Sequence, residues 1–388
     1  MVEKAFSGSK KYWIWLMVLF TLIGIGTGTF IYQYMVGLGI TGMSRDVSWG
    51  IYIAQFTFFV GVAAAAVMVV LPYYLHNYKV FGPITIFGEF MAVGAVLMCQ
   101  LFIFVDLGQP MRVLNVVLHP TLNSMMFWDM MVLVGYLGLN ITIGFVMLSS
   151  EYKATAPPKW IKPLIYLSIP WAVSIHTVTA FLYAGLPGRH FWLTAVMAPR
   201  FLASAFAAGP ALLIILLMVV RKVSNFDPGK EVFQTLAKIV VYAMLLNIFF
   251  VLLEVFTAFY SGIPGHQEAL IYLWVGLEHH GHTYNALVPW MWTAAILAFV
   301  SVGLLLVPKT RHNEKILLVA CIGVFLAAWI DKGLGLIVGG FVVNPLMEIT
   351  EYAPTLPEIA ITLGVYGIGA LVITVLYKIA IGVKEEPV

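Results

Sequence analysis

The chain has 388 residues, of which 61% are apolar and 10% charged, with a mean hydropathy of +0.96 and a formal net charge of +3. Ordinary soluble domains are about a quarter charged, so this balance excludes a soluble globular protein and makes the lipid bilayer its surroundings. The 21 Lys and Arg residues are dispersed along the chain, which points to no nucleic-acid partner.

A helix crosses the hydrocarbon core with about 20 apolar residues, and ten runs of that kind follow one another. They lie at approximately 12–36, 49–72, 84–105, 127–148, 164–184, 201–220, 236–260, 286–307, 316–338 and 356–377. The first follows Lys10 and Lys11, is too long for a cleaved signal segment and lacks an A-x-A site, so it reads as an uncleaved helix. No connecting segment exceeds about 25 residues, which leaves no room for a separate soluble catalytic domain. Residues 1–388 therefore read as a single integral membrane domain, all-α and polytopic, in which no strand is needed.

Alternating the sides of successive loops puts 16 Lys and Arg on the side of both termini. Four fall on the other, Arg45, Arg112, Arg189 and Arg200, with Lys332 inside a span. Cytoplasmic loops carry the excess of positive charge, so both termini are expected in the cytoplasm and the protein in the cytoplasmic (inner) membrane. The outer loops at 106–126 and 261–285 are long and rich in Pro, Gly, His and aromatics, as a docking face requires. Trp13, Trp15, Trp49, Trp128, Trp160, Trp290 and Trp292 fall near span ends, as interfacial anchors do. Gly24, Gly26, Gly28, Ala63 to Ala66, Gly364, Gly367 and Gly369 allow close helix approach, and Pro170 and Pro210 are expected to kink their helices.

Ionisable residues inside spans are costly and hence functional candidates. They are Glu89, Asp129, His176, Lys238, Glu254, Asp331, Lys332 and Glu358. Span direction puts all but Glu89 and Lys238 in the outer half. Asp331 beside Lys332 reads equally as a structural pair or as part of a proton relay, and Glu89 and Glu254 are further relay candidates. Cys99 and Cys321 lie singly in apolar runs and read as small buried hydrophobes, unable to hold an iron–sulfur cluster or zinc alone. Glu278, His279, His280 and His282 read as a solvated or partner-contacting loop, because their spacing matches no metal site; no metal ligand set is assigned.

His176 is the only histidine in any span. A membrane b-type haem commonly takes an axial His pair, so no haem is expected here. A lone imidazole instead suits a quinone carbonyl or a quinol proton, since it titrates near working pH; a hydrogen bond inside the bundle is the plainer alternative. Asp129, after Trp128, reads either as the acceptor of a second quinol proton or as a cap on the helix N-terminus.

The stretch Asp106 to Asp129, DLGQPMRVLNVVLHPTLNSMMFWD, resembles the outer loop and fourth-helix entry of the NrfD/PsrC (polysulfide reductase NrfD-like) membrane subunits. Their pattern is D-L-G-x-P-x-R followed by H-P-x-x-N-S-x-x-x-W-[ED]. Pro170 to Ile214 is similar to the fifth and sixth helices of the same family, and its run HTVTAFLYAGLPGR looks closest to the DsrP branch, from the sulfite-reduction-associated DsrMKJOP complexes. The resemblance implies a haem-free, quinone-interacting subunit of two four-helix bundles plus flanking helices, binding menaquinone near its outer face. It also implies partners: an exported, periplasmic-side iron–sulfur ferredoxin-like subunit, a multihaem cytochrome c, and a haem b membrane subunit with a cytoplasmic iron–sulfur subunit. Position by position, Asp129 matches the family's fourth-helix acid, frequently Glu, and His176 its fifth-helix histidine. Asp106, Arg112 and Arg189 match motif positions, as a loop-bracing salt bridge or as substrate contacts, and with Trp128 they form the expected surroundings of the site.

Two functions are thus expected of this sequence. One is a quinone-oxidising or quinone-reducing subunit, part of an oxidoreductase complex and not catalytic alone, with proton movement through the acids. The other is a secondary transporter or ion-translocating channel subunit, with Glu89, Glu254, Asp331 and Lys332 along its pathway. An inverted repeat with paired broken helices would mark the transporter, and none is seen in the sequence.

Overall fold

A computed structural model describes residues 2–346 and 348–385. Ten of its helices are long and apolar enough to cross a membrane, each overlapping one expected run. They are α1 (Lys10–Val36), α2 (Ile51–Leu75), α3 (Thr85–Asp106), α4 (Met125–Tyr152), α5 (Ile161–Ala184), α6 (Met197–Val223), α7 (Lys230–Ser261), α8 (Val288–Leu306), α9 (Glu314–Val342) and α10 (Leu356–Glu385). Several outrun their apolar windows, α7 starting at Lys230 and α10 ending at Glu385, because charged heads at helix ends reach the aqueous boundary. The protein is thus an all-α, multi-pass integral membrane protein.

Packing follows the order of the chain. Helix α2 lies against α3, α3 against α4, α4 against α5, and α5 returns to α2, closing one four-helix bundle. Helices α6, α7, α8 and α9 close a second in the same way, and the two meet where α2 faces α6 and α9 and where α5 faces α6. Helices α1 and α10 flank them as a pair, α10 also resting on α3. Burial matches this plan: 94% of the apolar window of α2 is buried and 17% of that of α1. The flanking pair is seamed by glycine, since a Cβ on Gly26 would stand 2.5 Å from the Gly364 Cα.

Both termini lie at one end of the molecule, called here the terminal end, as an even number of spans dictates; the other is the distal end. Helix breaks occur elsewhere than at the prolines. α5 runs unbroken through Pro170 and α6 through Pro210. Instead α2 is interrupted at Ala65 and Ala66, where the Gly209 backbone of α6 presses on Ala65; a Cβ on Gly209 would collide with the Ala65 Cβ. Helix α9 widens into a π-helix over Ile330–Val338, a stretch holding Gly333 and Gly335.

At the distal end the expectation of no strand is corrected. The loop after α7 forms a helix, Pro264–Trp274, and an antiparallel hairpin pairing Leu277–His279 with His282–Tyr284. Its turn is His280 and Gly281, both at positive φ, the twist that a two-residue hairpin favours. Trp13, Trp15, Trp128, Trp160, Trp290 and Trp292 are exposed as anchors would be. Trp49 is not: it packs inward on Tyr183, Trp192 and Phe341.

Candidate functional site

His176 is completely buried on α5, and neither ring nitrogen has a hydrogen-bond partner. The plainer expectation, an imidazole satisfied inside the bundle, is therefore not what the structure shows. An orphaned buried polar group costs about 1–3 kcal/mol, so this imidazole is poised for a ligand or water. One turn further along α5, Thr179 donates to Asp129 Oδ1 at 2.5 Å and to its own Ile175 carbonyl at 2.7 Å. Residues three apart share a helix face, so Asp129 of α4 is tied to the face of α5 that carries His176. Asp129 is buried and lies five residues into α4, whose cap position is Ser124. The capping alternative fails, because the carboxylate points across to α5 rather than to its own first amides.

His176 lies at the seam of the two bundles. A Cβ on Gly61 of α2 would find His176 Nε2 at 3.6 Å and Lys332 Nζ, from α9, at 3.4 Å. Both groups converge on the one place where α2 lacks a side chain. The Lys332 ammonium sits 4.0 Å above the Phe201 ring and 3.5 Å from the Phe201 carbonyl, and the Phe201 ring faces His176.

The neighbours Asp331 and Lys332 do not pair with each other, which corrects that expectation. In the π-helix they point apart, and Asp331 accepts from Arg200 at 2.8 Å. Arg200 also pairs with Glu254 of α7. Charge counting placed Arg200 in an outer loop, whereas it is buried in the first turn of α6. Two partly buried acids hold it there, since an unpaired buried charge is far costlier than a paired one. Glu254 and Asp331 are thus held in an ion cluster within the second bundle, while Lys332 faces His176.

The other motif residues sit apart from this seam. Arg112 is exposed at the end of a short turn and makes no ion pair among the described residues; Asp106, at the end of α3, leaves Oδ1 buried and unpartnered. Arg189 donates to the carbonyls of Phe341 at 3.2 Å and Asp46 at 3.0 Å and stacks 4.3 Å over the Phe341 ring. Burial lowers its guanidinium from the ordinary range, opposed by Asp46. The loop brace expected of Asp106, Arg112 and Arg189 therefore exists only through Arg189, and it grips backbone carbonyls rather than an acid. Trp128 is exposed and donates to the Leu122 carbonyl at 2.8 Å, fastening the loop before α4. Glu358 clasps the distal loops, accepting from Tyr352 at 2.6 Å and from the Gly42 and Thr355 amides at 2.8 Å. Burial and that carboxylate push the Tyr352 phenol up.

Glu89 lies far from His176, towards the terminal end of α3, buried and on the wall of a cleft. Cys99 and Cys321 are buried and free. Four residues not singled out in the sequence help to build the seam: Thr179, Gly61, Phe201 and Gln55. Gln55 Oε1 accepts from Trp329 at 2.6 Å and from Tyr366, while its Nε2 is buried without a partner. The i, i+3 spacing of His176 and Thr179 was the one signal available for them.

The family model described as Polysulphide reductase, NrfD matches residues 39–343. A putative dimethyl sulfoxide reductase membrane subunit of Halobacterium salinarum is 27% identical, covering 92% of this chain and 89% of the relative. A selenate reductase subunit of Mesobacillus selenatarsenatis is 22% identical, covering 93% and 92%. An Hdr-like menaquinol oxidoreductase integral membrane subunit of Archaeoglobus fulgidus is 22% identical, covering 81% and 75%.

Proposed function

The chain belongs to the NrfD polysulphide reductase family, and from that premise we propose that it is the quinone-interacting membrane subunit of a respiratory oxidoreductase complex, with its site at His176 and Asp129. The observation that carries this is the orphaned, fully buried imidazole one turn from the Thr179 that holds Asp129. Its two unpartnered nitrogens fit a ligand that offers an oxygen able to accept or donate a hydrogen bond, as a quinone does. The reductase and menaquinol oxidoreductase names of relatives that align over most of the chain support the same reading, and the last of them supports menaquinone as the species.

A bound quinone supplies two-electron, two-proton chemistry. The chain's own part would be to hold one carbonyl oxygen at an imidazole nitrogen of His176, to take or return a proton there, and to provide the Asp129 carboxylate as a second proton acceptor. Thr179 fixes the Asp129 carboxylate, and the surrounding helices exclude bulk water. Electrons pass to an exported iron–sulfur ferredoxin-like subunit docked over the long distal loops. In the DsrP-like assembly that the sequence resembles, the remaining partners are a multihaem cytochrome c, a haem b membrane protein and a cytoplasmic iron–sulfur protein, and the whole serves sulfur metabolism. The charge asymmetry of the loops supports a cytoplasmic-membrane assembly with the distal end outside.

The test is binding of a naphthoquinone-type inhibitor to the purified complex, followed by fluorescence quenching. His176→Ala is expected to weaken binding by roughly 5- to 150-fold, the equivalent of about 1–3 kcal/mol for a buried hydrogen bond. Unchanged affinity in a folded His176→Ala complex would end the assignment. Solute uptake by liposomes holding this chain alone, with no quinone present, would favour the transporter instead.

A further inference from the structure

A cavity whose lining does not include His176 lies towards the terminal end. It is a cleft of about 570 Å³ among α2, α3, α4 and the end of α10. Its walls carry Tyr73 and Tyr74, Met147, Phe226 and the Lys384 that pairs with Glu151 at 2.8 Å. Thr155 and Pro157, exposed in the loop after α4, form its rim. Glu89 lies on its wall, 3% exposed, with Oε2 buried and no hydrogen-bond partner. Gly144 of α4 lies beside that oxygen, with the Phe90 ring filling the space where its Cβ would stand.

A carboxylate without a counter-ion or donor is not sustained in an apolar interior. The titratable groups facing it from the neighbouring elements are Tyr73 and Tyr74 of α2, Tyr136 and Glu151 of α4, and Lys384 of α10. Lys384 is occupied by Glu151, and among the described residues Glu89 makes no ion pair. A cleft of this size holds many waters, each taking up about 30 Å³ in the liquid, and it joins the carboxyl to the aqueous phase at the terminal end.

We propose that Glu89 is a proton-exchange site, loaded and unloaded with a proton by water entering this cleft from the terminal end of the membrane. The proton carried by the carboxyl oxygen passes to cleft water and returns from it, with no other reactant. The site is separate from the quinone reading and stands or falls alone.

The experiment uses the assembled complex, depleted of quinone, in vesicles of both orientations treated with a water-soluble carbodiimide, which adds to protonated carboxyls. Adducts are mapped by peptide mass. An adduct at Glu89 is expected when the reagent has access to the terminal end and not when it reaches only the distal end. Thr155→Trp, plugging the rim, is expected to suppress it, and Glu89→Gln to remove it while inhibitor binding at His176 persists. Absence of a Glu89 adduct in a sample whose exposed Glu231 is labelled would overturn the proposal, as would labelling from the distal end. Protection by sodium but not by potassium would replace the proton site with a metal-cation site.

Discussion

Thr179 binds Asp129 across the α4–α5 interface at 2.5 Å, from the helix face that also presents His176. The hydroxyl shares its one proton between the carboxylate and the Ile175 carbonyl one turn back, and so ties the acid to the helix face that carries the imidazole. Both residues are buried, so water does not replace the bond if it is lost.

Thr179→Val keeps the shape of the side chain and removes the donor. Asp129 is then left buried and unpartnered, at a cost of about 1–3 kcal/mol. Thermal unfolding of the purified complex is expected to show that loss, together with weaker inhibitor binding, and Thr179→Ser is expected to restore both. Equal behaviour of the Val and Ser variants would show that the hydroxyl does not position the acid.

Arg200 holds Glu254 and Asp331 together inside the second bundle. Arg200→Met strands two acids in a buried setting and is expected to destabilise the protein by about 3–5 kcal/mol. Combining it with Glu254→Gln and Asp331→Asn removes the uncompensated charge, and most of the stability is expected to return. Recovery in the triple variant, read by denaturant or thermal unfolding, separates a structural ion cluster from a relay that needs its acids. In the relay case stability returns but quinol-coupled turnover does not.

The ten spans were legible because hydrocarbon thickness and helix rise leave few ways to satisfy an apolar run of that length. His176 stood out for a related reason, as the only imidazole in any span. What the sequence did not disclose are contacts between distant segments. Arg200 looks like a loop cation until the acids of α7 and α9 are brought to it. The adjacency of Asp331 and Lys332 suggests a pair until the π-helix turns them to different neighbours. Gly61 carries no signal alone, because its role is the space it leaves between His176 and Lys332. The prolines do not interrupt their helices, α5 and α6 running on through Pro170 and Pro210, whereas α2 breaks at two alanines pressed by Gly209.

The flanking pair offers a control that supplies none of the charged or titratable groups of the site, although Tyr366 of α10 donates to Gln55. Gly26 and Gly364 touch backbone to backbone, so Gly26→Val has no space to enter and is expected to splay α1 from α10. Overpacking of this kind costs about 1–3 kcal/mol. The loss is expected in thermal stability, with inhibitor affinity unchanged, because neither helix contributes His176, Asp129 or Lys332. A matching loss of affinity would show that the flanking pair does help to shape the site.

Trp192 anchors the π-helix from outside. Its indole Nε1 donates to the Leu336 carbonyl at 2.7 Å, and the ring lies so close to Gly340 that a Cβ there would collide with Nε1. The widened turn thus rests on a buried donor supplied by the loop before α6, and Lys332 lies within that turn. Trp192→Phe removes the donor and part of the ring volume, leaving the Leu336 carbonyl to backbone donors such as the Gly339 amide. Loss of such a bond is worth about 0.5–1.5 kcal/mol, enough to raise local opening several-fold. Faster amide exchange across residues 330–338, with unchanged exchange in α1 and α10, is the expected result. Because the same turn sets Lys332 beside His176, inhibitor affinity is expected to fall with it. Faster exchange at constant affinity would show that the π-helix shapes the second bundle without bearing on the site.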